Sequence, residues 1–483
     1  MANPGSGGAT TIVWFRQDLR IGDNAALAAA AALGPVLPVF IRETTEGIRP
    51  LGGARRWWLH HSLENLGHDL EVLGSRLVLA SGDPFLVLVD LAARTGARRI
   101  FWNRRYEPAA IRADAETRSR LSDEGFEVKS FGGWLLHEPT KLRTKAGGPY
   151  QVFTPFWRAL EEAHQFHAPV SAPTRLVAPD ADIPSEALNA WALLPPRRNR
   201  AGGLRQEWQP GEAGAQRRLA AFLVSGLNGY SERRDFPGLD VTSRLSPHLI
   251  HGEITPAQVF AALDKARTGS AADRAAFRRQ IGWREFSWHL LVNEPDLPKR
   301  SHTPKFDAFP WIDDPAPETA WREGMTGYPI IDAGMRQLRL TGFMHNRVRM
   351  IVASFLTKHL LTDWRRGEAW FWDMLVDADP ASNAVNWQWV AGGGADAAPY
   401  FRIFNPVLQG EKFDPTGTYI RAYVPELKKL PDRVLHQPWM AGREILAEAG
   451  VELGVTYPQP IVDQQRGRDR ALSAYETLFS SPD

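Results

Sequence analysis

Five short apolar runs alternate with helical segments over the first 135 residues, and this rhythm leaves few folds open. The runs are "TTIVWF" (Thr10–Phe15), "GPVLPVFI" (Gly34–Ile41), "RLVLA" (Arg76–Ala80), "RRIFW" (Arg98–Trp102) and "FEVKSF" (Phe126–Phe131). Helical segments fill the gaps at Asn24–Ala32, Ala54–Leu73, Pro84–Thr95 and Ala109–Ser122. Asp83 before Pro84 is an N-cap followed by a proline at the first helical position. Near-continuous apolar strands separated by helices specify a parallel, doubly wound α/β sheet of five strands. Such sheets bind ligands beyond the carboxyl ends of their strands. No G-x-G-x-x-G follows the first strand and no P-loop motif occurs, so an ordinary dinucleotide or nucleoside-triphosphate site is not expected.

One sheet cannot account for 483 residues, which exceed what a single core holds. Residues 139–212 are rich in Pro, Ala and Gly and show no sustained period, which reads as a linker packed over the surface. From Glu212 onward, "AGAQRRLAAFLVSGL", "TPAQVFAALDKAR", "AAFRRQIGWREFSWHLLV", "YPIIDAGMRQLRLTG" and "NRVRMIVASFLTKHLL" carry apolar residues at three-to-four spacing. The expected organisation is an α/β domain at 1–138, a linker at 139–212 and an all-α domain at 213–483.

Several function classes drop out. The chain has no Cys, which excludes disulfides and thiolate metal sites. His60–His61 is a lone pair on a helix, expected to face solvent, and neither H-x-x-x-H nor H-E-x-x-H occurs, so no metal is expected. There is no G-x-S-x-G for a nucleophile elbow. The opening "MANPGSGGATTIVWF" lacks the cationic start of a signal peptide. The longest apolar run, Ala25–Ile41, is broken by Gly34, Pro35 and Pro38 and reads as helix then strand rather than a membrane span. The expectation is a cytoplasmic monomer with no membrane contact. A net charge of +2 neither requires nor forbids a nucleic-acid partner, since a basic groove can hide in a balanced total.

The chemistry concentrates in "DADPASNAVNWQW" (Asp377–Trp389). Asp379 before Pro380 should start a helix. Asp379, Asn383 and Trp387 then fall at i, i+4 and i+8, on one stripe. A carboxylate, an amide and an indole in a row suit a flat, heteroatom-rich ring; an N-capped helix with two core tryptophans would show the same letters. Trp387 and Trp389 point ~200° apart on a helix and need two environments.

Further segments occur in one order: "WFRQDLRIGDNAAL" (Trp14–Leu27), "GYSERRDFPGLDVTSRLSPHL" (Gly229–Leu249), "QIGWREF" (Gln280–Phe286), "TGYPIIDAGMRQL" (Thr326–Leu338), "TGFMHNRVRM" (Thr341–Met350), "DWRRGE" (Asp363–Glu368) and "DAAPYFRIFNPVLQGEKFDP" (Asp396–Pro415). Together they resemble the DNA photolyase/cryptochrome flavoproteins over nearly the whole chain. "IGWREFS" and Phe309–Trp311 look most similar to the bacterial photolyases related to plant cryptochromes, class III.

The resemblance implies FAD folded into a U in the helical domain. Its matching contacts are Tyr230, Thr242, Ser243, Arg244, Leu245, Ser246, Phe277, Arg284, Asn346, Arg349, Asp377, Asp379 and Asn383. "TSRLS" offers hydroxyls and amides at a helix start, suited to a pyrophosphate. Asn383 matches the residue facing flavin N5, where plant cryptochromes carry Asp; a neutral amide argues for repair over signalling. Trp387, Trp364 and Trp311 match the electron-hopping chain to the surface. The implied reaction is light-driven splitting of cyclobutane pyrimidine dimers in single- or double-stranded ultraviolet-damaged DNA, with the lesion flipped out against the flavin. Trp283, Trp389, Met350, Asn346 and Gln280 match the lesion pocket, and Arg234, Arg347 and Arg402 the DNA-facing cleft.

Two positions depart from the family pattern. Gln280 stands where the pattern has Glu, which implies weaker repair or a different lesion choice. Phe277 stands where many members carry tryptophan. The alternatives are a cryptochrome blue-light photoreceptor, or repair of the (6-4) photoproduct, whose enzymes carry His where this chain has Asn346 and Met350. The family also implies an antenna chromophore. Ala110 replaces a folate-gripping Glu of one subgroup, and the class III resemblance suggests methenyltetrahydrofolate held differently, near "PYQVFTPFW" (Pro149–Trp157), with a deazaflavin as the other possibility.

Overall fold

A computed structural model describes residues 8–163, 168–195, 198–397 and 401–480. Five strands, β1 (Thr11–Phe15), β2 (Val36–Glu43), β3 (Val78–Gly82), β4 (Arg99–Asn103) and β5 (Glu127–Phe131), form one parallel sheet in the order β3-β2-β1-β4-β5. Between them run α1 (Ala25–Ala31), α2 (Gly53–Val72), α3 (Pro84–Thr95) and α4 (Pro108–Asp123). Each lies within two residues of its expected place. The central strand β1 pairs on both edges and is buried along its whole length, which is why its run is apolar without alternation. Asp83 caps α3 by accepting from the Phe85 and Leu86 amides, as its place before Pro84 implies.

The segment 139–212 differs from a plain linker. A helix at Phe153–Ala163 buries Phe153, Phe156, Trp157 and Leu160 in the same core as the helix Ala271–Asn293. A second helix spans Arg198–Glu207. The first is hard to read because Pro155 sits inside it; a proline in the first turn removes only an amide that has no helical partner.

Beyond Glu212 the described residues form helices and no further sheet strand. The longer ones are Ala271–Asn293, Pro329–Thr341, Trp364–Met374, Pro380–Ala391 and Gln464–Ser480. No described helix is long and apolar enough to cross a membrane.

α2 joins the two parts. Trp57 and Trp58 on it are fully buried, and Trp58 packs against Trp208 of the intervening segment and His248 and His251 of the helical part. This corrects the expectation for His60 and His61: His60 is only 3% exposed and His61 half-buried, and both imidazoles pair with Glu64. The solvent-facing side of α2 is narrow, because one side packs against the sheet domain core and another against the helical part. Just before it, Gly52 presses on the Trp364–Met374 helix, where a Cβ would fall 2.0 Å from the Trp372 carbonyl oxygen.

Candidate functional site

The helix Pro380–Ala391 starts as its letters dictate. Asp379 Oδ1 accepts from the amides of Ala381 and Ser382 at 2.9 and 2.7 Å, and Pro380 holds the first helical position. Asp379 Oδ2 accepts from Trp288 Nε1 at 3.0 Å, so one carboxylate both caps the helix and ties it to its neighbour Ala271–Asn293. Asp379, Asn383 and Trp387 line one cavity, with Asn346, Arg349, Met350 and Asp377 opposite and beside them. The i, i+4, i+8 stripe therefore faces a single space.

The charged groups around this cavity are arranged in pairs. Arg349 donates to both oxygens of Asp377 at 3.1 and 2.9 Å and, through Nε, to the Met344 carbonyl. Ser246 donates to Asp377 at 2.6 Å from the first turn of the short helix Ser246–His251. That helix begins at the end of "TSRLS", as expected, and runs six residues. Ser243 Oγ accepts from the Leu245 amide, and Thr242 lies in the same approach. Arg244, at φ +50°, pairs with Glu207 and Asp240. Arg284 is buried beside Trp134, which lowers its pKa through desolvation; Glu285 and Asp379 act against that. Its Nη atoms reach backbone carbonyls of Trp134 and Leu249, while Nε has no partner among the described residues. Tyr230 and Phe277 form one aromatic cluster with Phe222, and burial pushes the Tyr230 hydroxyl up to about 12. Asn383 turns its amide nitrogen away from the cavity, donating to the backbone and side-chain oxygens of Glu368 at 3.0 and 2.7 Å.

The tryptophans divide as their helical offset requires. Trp387 is buried between Phe371 and Trp321, and its ring lies against Gly367 so closely that a Cβ there would sit 2.2 Å away. Trp364 shares this buried cluster and Trp311 packs on its rim, half-exposed, beside Phe309 at 4.4 Å. Trp389 does not line the cavity; it is half-buried and donates Nε1 to the Asp396 carbonyl. Asp396 also accepts from the Phe153 amide, and Phe153 stacks on Trp283 at 3.7 Å with planes 9° apart. Trp283 thus has one face already covered, an arrangement without local trace, since Phe153 lies 130 residues upstream in the segment expected to be a linker. Gln280 donates to the Ala276 carbonyl of its own helix. Asn346 is exposed at a helix start beside Met350. Arg347 pairs with Asp235 and lies over Phe413; Arg234 also reaches Asp235, at 3.7 Å. Arg402 is exposed, and the neighbouring Ala398–Tyr400 lie outside the described residues.

The donor set fits a flavin. A guanidinium, two carboxylates and an amide stand at the edge of a slot with an indole beside it. Two further cavities lie at the border of the sheet. One is lined by Phe131, Gly133, Leu136 and His137, the other by Trp102, Arg105, Tyr106 and Asp114. Neither is lined by residues of the Pro149–Trp157 stretch.

A parallel α/β sheet coupled to a helical domain with this slot is the architecture of a class of FAD-binding proteins. Residues 277–477 match the model described as the FAD binding domain of DNA photolyase, and residues 11–175 the model described as DNA photolyase. The chain is 56% identical to a deoxyribodipyrimidine photo-lyase of Agrobacterium fabrum, over 97% of this chain and 98% of that one. It is 37% identical to cryptochrome-1 of Arabidopsis thaliana, over 98% of this chain but 71% of that one. A crystal structure of a bacterial class III photolyase from Agrobacterium tumefaciens superposes with a TM-score of 0.96 at 55% identity, covering 99% of each chain. The chain belongs to the DNA photolyase family.

Sequence reasoning passed over two residues that this geometry makes prominent. Glu368 was in view only as the last letter of "DWRRGE"; it proves to hold Asn383. Trp288, one of the large fully buried side chains, ties the cap Asp379 to the neighbouring helix. Its spacing of seven residues from Ile281, two helical turns, was the one available signal.

Proposed function

We propose that this protein is a lyase that repairs cyclobutane pyrimidine dimers in ultraviolet-damaged DNA under light, using FAD. The carrying observation is the Asp379–Asn383–Trp387 stripe facing the same slot as the Arg349–Asp377 pair. When bound, reduced FAD supplies on excitation the electron that opens the dimer and takes it back afterwards. The chain's residues do the rest. Arg349 and Asp377 hold each other rigid at the slot's edge, so their hydrogen bonding is set before the cofactor enters. Tyr230, Thr242, Ser243, Arg244, Leu245, Ser246, Phe277 and Arg284 hold the remainder of the cofactor. Trp387, Trp364 and Trp311 carry electrons inward from the surface.

DNA is held by Arg234, Arg347 and Arg402, whose phosphate contacts are blind to sequence and weaken with salt. Trp283 and Trp389 wall the flipped lesion, a poorly stacked pair that is cheap to extrude. Trp283, braced by Phe153, presents one open face. The chain acts as a monomer in the cytoplasm. A second chromophore, a folate, serves as antenna at the sheet border, and Pro149–Trp157 contributes to its setting. Boundaries at 138 and 212 suit this division, with 139–212 understood as a helical bridge.

The test is irradiation of the purified, reduced protein with ultraviolet-damaged oligonucleotide under blue light. Recovery of thymine absorbance is expected. No recovery with flavin bound would turn the reading to a photoreceptor.

A further inference from the structure

We propose that Arg49, in the loop after β2, is a positioning residue for the flavin-facing amide of Asn383, acting through Glu368. The inference rests on the flavin reading of the slot above.

Three contacts form a chain from the α/β domain to the slot. Arg49 Nη1 donates to Glu368 Oε1 at 2.7 Å, and its guanidinium lies over the Trp372 ring at 4.2 Å. Glu368 Oε1 accepts in turn from Asn383 Nδ2 at 2.7 Å, and the Glu368 carbonyl accepts from the same nitrogen at 3.0 Å. Glu368 is 4% exposed. Both atoms that Asn383 meets on Glu368 are acceptors, so the amide must turn its NH2 toward them. Its carbonyl oxygen is thereby aimed into the slot. The handedness of the amide is decided by Glu368, and Glu368 is held by Arg49.

The loop is anchored well enough to do this. Trp372 Nε1 donates to the Pro50 carbonyl at 2.9 Å, the Gly53 amide donates to Asp373 at 2.8 Å, and Arg55 Nη1 donates to the Ala378 carbonyl at 3.0 Å. Arg49 and Asn383 therefore meet at the same oxygen of Glu368, and of the three only Asn383 lines the slot. Without Arg49, a buried carboxylate loses its cation and is free to turn away, or to draw in water. Asn383 then loses the acceptor that fixes which of its ends faces the cofactor.

A carbonyl oxygen held against a ring nitrogen favours the form of the ring in which that nitrogen carries hydrogen. For FAD this is the reduced form. The α/β domain thus contributes to holding the cofactor reduced, from a residue that never touches it.

The experiment compares wild type, Arg49→Ala, Arg49→Lys and Trp372→Phe, each purified with its FAD, after the FAD content of all four has been measured. The reduction midpoint potential of bound FAD and the dark reoxidation rate of the photoreduced protein are read. Loss of one fixed hydrogen bond of ordinary strength predicts about tenfold faster reoxidation in Arg49→Ala, with a lower potential. Arg49→Lys, which keeps the cation, should recover part of the difference. Trp372→Phe loosens the same loop by removing the Pro50 bond but keeps an aromatic ring under Arg49 and the Arg49–Glu368 bond, and should match wild type. Equal effects in Arg49→Ala and Trp372→Phe would overturn the proposal in favour of general loosening. An unchanged potential in Arg49→Ala with full FAD content would also overturn it. Absence of FAD from wild type would instead sink the flavin reading itself, so the two failures are distinct.

Discussion

The carboxyl edge of the sheet and the slot in the helical domain are both crowded with charge, yet they use it differently. At the sheet, where the strand order reverses between β1 and β4, the charges pair mainly with one another. Arg16 pairs with Asp114 at 3.1 Å, Arg105 reaches the same Asp114 at 2.6 Å and also pairs with Glu43, and Asn103 donates to Asp18 at 2.6 Å. Burial pushes the Asp114 carboxyl up, but Arg16 and Arg105 more than offset it and hold it below its ordinary value. In the helical slot, Asp379, Asn383 and Arg349 each spend part of their capacity on the chain and turn the rest to the cavity. A network whose charges mostly pair with each other lends rigidity; one that turns its polar groups to a cavity suits a ligand.

Four outcomes would break or sharpen this contrast. The largest is expected at Trp387. Trp387→Phe should abolish photoreduction of oxidised FAD, followed as flavin absorbance under blue light, while chemically reduced protein still repairs; retained photoreduction would remove Trp387 from the electron path. Next is the cap. Asp379→Ala loses an N-cap worth about 1 kcal/mol and strands the Trp288 N–H at a further ~1–3 kcal/mol, so thermal unfolding should come earlier and FAD retention fall. Asp83→Ala, a cap at the exposed start of α3, should cost only the first part.

Acid should separate the two regions as well. Burial lowers His289, His345 and His359 to about 4, each in the helical domain. These folded values lie below the unfolded value of about 6.5, so their contribution is complete above pH ~6.5 and is lost as pH falls toward 4. The depressed Asp114 holds its contribution down to the ordinary carboxylate range before losing it. Melting midpoints followed by flavin release should drop between pH 7 and 5, by about 1–2 °C for each kcal/mol lost. A flat profile over that window would refute the assignment. The smallest effect is at the lesion pocket. Gln280 donates to the Ala276 carbonyl, which a carboxylate cannot do, so Gln280→Glu should swing outward and raise the repair yield modestly. No rise would end that account of position 280.

Much of this was legible along the chain. The five strands and four helices of the sheet domain follow from the period of their apolar residues, because β1 and its neighbours bury both faces. The Asp379 cap and the opposed settings of Trp387 and Trp389 follow from helical spacing alone. Phe153 was lost because its helix sits in a Pro-rich stretch, and His60 because burial of α2 comes from a domain more than a hundred residues away.

The sequence by itself determined the local structure, the class of fold, and which side chains share a helical face, since these depend on neighbours within a few turns. Only the tertiary structure decided which way the Asn383 amide points, that Phe153 covers one side of Trp283, and that Arg49 reaches Glu368. Those contacts join residues 15, 130 and 319 positions apart. The two long-range ones have no periodic trace in the sequence. The short one joins two helices whose angle and distance no local pattern records.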